Sequence, residues 1–84
     1  MDTMTAPARD EVVRAARDLR ADVKRVTGGR TLQWVSIHDI AGRLGLTDEL
    51  AEAAVGQAIE QGWLVADGEP PHSVRLSAVA LQHS

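Results

Sequence analysis

Glycines at 28–29, 45 and 62 interrupt this chain just where amphipathic stretches run out, and that punctuation constrains the fold more than any other feature. Glycine enters the left-handed conformation at a helix end without a Cβ clash, so each position reads as a helix stop. The first stretch begins near Thr5, a candidate cap before Ala6-Pro7, with proline tolerated in the first helical turn. Val12, Ala16, Leu19, Val23 and Val26 recur at spacings of four and three, which predicts one apolar stripe on a helix ending at Gly28-Gly29. Between them, Asp10 with Arg14, Arg14 with Asp18, and Asp22 with Arg25 form helix-spaced charge pairs, each contributing about 0.2–0.5 kcal/mol.

Leu32 to Ile37 predicts a short strand or extended connector, in which Leu32, Trp34 and Ser36 alternate with Gln33, Val35 and Ile37. Ser36 followed by Asp39 resembles a capping box opening a second helix. That helix turns Ile37, Ile40, Ala41 and Leu44 inward and stops at Gly45. Thr47 caps a third helix whose first-turn acids, Asp48 and Glu49, complement the dipole. Leu50, Ala51, Ala54, Val55, Ala58 and Ile59 give it a broad buried face before Gly62. Trp63 to Ala66 and Ser73 to Leu76 read as hairpin strands around a turn from Asp67 to His72, and Ser77 as the cap of a last turn through Ala78, Val79 and Leu81.

At 84 residues there is room for one domain with a modest core and, without cysteine, no disulfide or thiolate zinc to reinforce it. The expected layout is a tail over 1–6, a domain over 7–81 and a tail over 82–84. No apolar run approaches the roughly 18 residues a bilayer requires, and the amino terminus lacks the regions of a signal peptide, so the sequence reads as cytoplasmic, with no membrane partner.

The element order is helix, short strand, helix, tight turn, helix, hairpin: a mainly helical α+β domain with a small β-hairpin. Within it, Ile40-Ala41-Gly42-Arg43-Leu44-Gly45-Leu46-Thr47 resembles the helix-turn-helix of bacterial regulators of the multiple-antibiotic-resistance regulator type. The resemblance continues through Ala54-Val55, Ile59-Glu60-Gln61, Gly62-Trp63-Leu64 and Val74-Arg75-Leu76-Ser77, covering roughly residues 34 to 81. It implies a winged helix-turn-helix fold and a third helix that lies in a DNA major groove.

Charge argues against carrying that role over. Phosphates need cations, and base edges need donors such as Arg, Asn or Gln. The matching positions here are Asp48, Glu49, Glu52, Ala53, Gly56, Gln57 and Glu60, and no Lys or Arg occurs between Leu44 and Val74. The remaining candidates for nucleic-acid contact are Thr47, Gln57, Arg43, His72 and Arg75. Seven cations cluster instead on the first helix and its exit: Arg9, Arg14, Arg17, Arg20, Lys24, Arg25 and Arg30, against Asp10, Glu11, Asp18 and Asp22. This reads as a charge-laced solvated helix, or as one half of a pairing with an acidic surface. Gly56 inside a helix costs about 1 kcal/mol relative to alanine, and with Ala53 it makes a flat patch suited to close approach of another backbone. The expectation is therefore a regulator-like binding domain whose third helix meets a protein partner or a second copy; a DNA-binding regulator using Arg43, Arg75 and the first helix is the alternative. Trp34 and Trp63 are assigned to core packing, the alternative for either being an indole edge left exposed as an interface anchor.

Nothing points to catalysis or to a cofactor. His38, His72 and His83 lack metal-ligand spacing, no nucleophile elbow occurs, and Gly28-Gly29-Arg30-Thr31 lacks the P-loop lysine. A domain this small is also expected to lack a small-molecule cavity of several hundred Å³.

Overall fold

The computed structural model describes residues 8–77. In chain order the elements are α1 (Arg9–Thr27), β1 (Val35–Ser36), α2 (Ile37–Leu44), α3 (Asp48–Glu60), β2 (Leu64–Asp67) and β3 (Ser73–Leu76). This is the anticipated order, a mixed α+β domain of three helices and an antiparallel sheet with strand order β1-β3-β2. The Thr5 and Pro7 helix start, the turn through Ala78, Val79 and Leu81, and the tails 1–6 and 82–84 lie outside the described residues.

Local chemistry sets the joints. Ser36 Oγ accepts from the Asp39 N–H at 3.5 Å and Thr47 Oγ1 from the Leu50 N–H at 3.1 Å, so both short helices start on side-chain caps. Between them Gly45, at φ 69°, donates its N–H to Ala41 O, and the Leu46 N–H reaches the same carbonyl at 2.9 Å. Left-handed backbone is needed here, and three residues suffice to end α2 and begin α3.

Ala16, Leu19 and Val23 of α1 pack with Ile40 of α2, Ala54 and Ala58 of α3, and Val74 and Leu76 of β3. Val35 pairs with Val74, Ala66 with Val74 and Leu64 with Leu76, which places the inward side chains of the sheet in one layer beneath the helices. Trp63 is half-buried against this core, with the Arg20 guanidinium 5.4 Å from its ring centroid.

Three packing expectations need correction. Val26 is 41% exposed, and Thr27 is the buried residue of that turn, its hydroxyl donating to Val23 O at 2.8 Å. The buried stripe steps four residues from Val23 to Thr27, and not three to Val26, so the last apolar residue of the pattern turns to the flank. Trp34 is 46% exposed rather than core, because strand alternation turns Val35 inward and Trp34 outward. Ile59 is 40% exposed, at the flank of the buried face of α3.

Candidate functional site

The α3 positions singled out from sequence do form one surface. Asp48, Glu49, Glu52, Gly56 and Glu60 are exposed, while Ala53 and Gln57 are half-buried beside them. The dipole of α3 accounts for Asp48 and Glu49 in its first turn, but the last turn has no basic residue and ends on Glu60. Among the described residues none of these carboxylates forms an ion pair. Thr47 is occupied as the cap of α3.

The candidate cations are held elsewhere. Arg43 leaves the last turn of α2 toward α1, where its Nη2 lies 2.6 Å from Asp22 Oδ2 and its Nε 3.2 Å from both carboxylate oxygens. Arg25 Nη2 completes the cluster at 2.8 Å from Asp22 Oδ1. Asp22 is thus a buried acid at the α1–α2 junction and not merely the partner in a helix-surface pair. The Arg43 hydrogen bonds hold its carboxyl below the usual carboxylate range against the upward push of burial, and Arg25 adds to the lowering. In turn the carboxylate raises the Arg43 pKa, so Arg43 stays charged.

Arg75 is likewise engaged. Its Nη1 donates to Thr31 O at 3.1 Å, and the guanidinium stacks over the exposed Trp34 ring at 5.2 Å from the centroid. That contact explains why an outward Trp34 is tolerated: the cation covers the ring face, an interaction of about 0.5–1 kcal/mol at an exposed site. His72 sits in the hairpin turn, with Nδ1 3.2 Å from Ser73 Oγ, Nε2 3.8 Å from Asp67 Oδ2, and its carbonyl accepting from the Ile37 N–H at 3.0 Å. The last bond ties the turn to the start of α2.

That tie creates a feature the sequence reading missed. A groove of about 500 Å³ opens between the first turns of α2, the outer flank of α3 and the hairpin turn, overturning the expectation that so small a domain lacks one. From α2 and the residue before it come Ser36, Ile37, His38 and Ala41; from the turn come Pro71 and His72. From α3 come Asp48, Ala51, Glu52, Val55, Gly56 and Ile59, so the acidic candidates Asp48 and Glu52 rim a largely apolar channel that Ser36, His38 and His72 also line. A Cβ built on Gly56 would meet nothing within 4 Å, so that side is open. The one available sequence signal was Ile59, an extra apolar residue at the edge of a helix face already filled by alanines.

Among the described residues no helix is long and apolar enough to cross a membrane, and no group of three or more His, Asp or Glu side chains is placed to hold a metal ion. Comparison of the chain with protein-family models, curated proteins and solved structures found no match.

Proposed function

We propose that this chain is a non-enzymatic, cytoplasmic, winged helix-turn-helix binding domain whose third helix docks a protein rather than DNA. The observation that carries the reading is the surface of α3: an apolar groove edged by carboxylates, with no Lys or Arg from residue 45 to residue 73. A major-groove helix needs cations to meet phosphate and donors to meet base edges. Arg43 and Arg75, the two cations bordering this segment, are turned to Asp22 and to Thr31 with Trp34. A groove with an apolar floor suits a protein partner, because burying apolar area drives association at about 25 cal/mol per Å² before its costs are counted.

A charge-reversal pair tests this reading. Wild type and the Glu49→Lys/Glu52→Lys variant are titrated into fluorescein-labelled mixed-sequence duplex DNA at low and at moderate salt. Wild type is expected to give no saturable binding, whereas the variant acquires weak binding that fades steeply with salt. Tight, salt-sensitive binding by wild type would instead favour the DNA-regulator reading.

A further inference from the structure

We propose that the groove between α2 and α3 seats an amphipathic helix of a partner protein, one that carries Lys or Arg on both sides of a ridge of Leu, Ile or Met. This rests on the protein-docking reading above and adds the chemistry of the occupant.

The shape of the groove supports a helical occupant. Asp48, Glu52, Val55, Gly56 and Ile59 lie at helical spacing along one flank of α3, so the channel runs nearly the length of that helix, roughly 16 Å at about 1.5 Å per residue. An extent of three turns matches the anchor pattern i, i+3 or i+4, i+7 of a helix laid in a groove. Gly56 presents open space midway, and Ile59 is 40% exposed at one end. A ridge side chain can therefore settle over Gly56 and cover Ile59 without displacing any neighbour.

Charge specifies the flanks. Asp48 and Glu52 lie one turn apart, like charges that repel each other along α3. Glu60 stands at the helix end where the dipole disfavours an acid. Neither arrangement is answered within the described residues, since none of these carboxylates has a cationic partner there. A helix bearing cations beside its ridge supplies that complement, and the partial desolvation of the rim on docking strengthens it.

A second copy of this chain is a poorer occupant. Most of its cations lie on α1, whose apolar side is already buried in the core and whose outward side interleaves Asp10, Glu11 and Asp18 among the arginines, while Arg43 and Arg75 are engaged by Asp22 and by Thr31 with Trp34. Moreover, α1 packs on the buried side of α3, away from Glu52 and Gly56.

The test uses the full chain and three labelled synthetic helices of about 14 residues, roughly four turns. One carries a Leu ridge flanked by Lys, one the same ridge flanked by Glu, and one the Lys/Leu composition scrambled. Fluorescence anisotropy is read for wild type, Gly56→Trp and Glu52→Lys, with thermal melts confirming that each variant is folded. The Lys-flanked helix is expected to bind wild type saturably, on the order of tenfold or more tighter than either control. Gly56→Trp should remove the binding by filling the groove, and Glu52→Lys should weaken it several-fold while its melt stays near wild type. No saturable binding of the Lys-flanked helix, or equal binding of the scrambled one, overturns the inference. Equal binding of the Glu-flanked helix, still lost in Gly56→Trp, overturns the charge assignment but leaves protein docking standing. Wild-type binding to duplex DNA in the preceding experiment removes the docking reading itself.

Discussion

Two sets of carboxylates in this molecule meet opposite fates. Asp22 is buried at the junction of α1 and α2, where Arg43 and Arg25 saturate it. Asp48, Glu49, Glu52 and Glu60 stand on α3 in solvent, without a cation among the described residues. The first arrangement serves the fold. It also turns Arg43, at the end of α2, toward α1. In the second arrangement Asp48 and Glu52 border a largely apolar channel. Neighbouring elements thus use the same functional group to lock the scaffold in one place and to edge an open groove in the other.

The largest break in that contrast is Asp22→Ala. Arg43 and Arg25 can then hydrate, their side chains being 37% and 69% exposed, so the loss is that of the charge-assisted bonds and not of stranded buried charge. Unfolding stability from urea titration should fall by about 2–3 kcal/mol. Arg43→Ala should lower the urea midpoint as well, since it leaves Asp22 buried with Arg25 alone.

The same cluster predicts the acid limb of stability. Because the folded pKa of Asp22 lies below its ordinary value, its contribution is complete at neutral pH. That contribution is lost as pH falls through the usual carboxylate range, near 3.9, toward the lower value in the folded protein. Across about pH 5 to 2, wild type should therefore lose more stability than Asp22→Asn. Parallel curves for the two proteins would mean that the cluster does not bind Asp22 preferentially in its charged form.

On the α3 side the effects are smaller and opposite in sign. Gly56→Ala should stabilise by roughly 1 kcal/mol, because the helical glycine is exposed and its added methyl meets nothing. The matching change in the hairpin turn, Gly68→Ala, should destabilise, since φ there is 102° and the new Cβ would lie on the His72 ring. Smallest is Glu60→Gln, which removes an acid from the wrong end of the helix dipole and should add about 0.3–0.5 kcal/mol in thermal or urea unfolding. A destabilised Glu60→Gln would indicate that Glu60 supports the fold instead of bordering a docking surface.

Much of this architecture was legible in the sequence because its joints are local. Ser36, Gly45 and Thr47 act within a few residues of themselves, and their caps and stop stand where the pattern placed them. Strand alternation likewise foretold the hairpin, although each strand of β2 and β3 had to be fixed by pairing before the inward layer was defined. What escaped depends on distance in the chain. Asp22 and Arg43 are twenty-one residues apart, and helix spacing offered Asp22 only Arg25 as a partner. The groove escaped for the same reason: Ile37, Ile59 and Pro71 are brought together only when the hairpin turn bonds to the start of α2. Trp34 was expected to meet the hairpin from the short first strand, but it faces outward, where Arg75, far along the chain, covers its ring.

If α3 docks a protein, neither its surface nor Arg43 is a DNA interface. Heteronuclear NMR of labelled protein with mixed-sequence duplex DNA at low salt tests it most directly, following the amides of residues 47–57 together with the Arg43 Nε–H. These signals are expected to stay in place, with Arg43 Nε–H still held by Asp22; shifts at those positions that fade steeply as salt rises would make this surface a DNA interface.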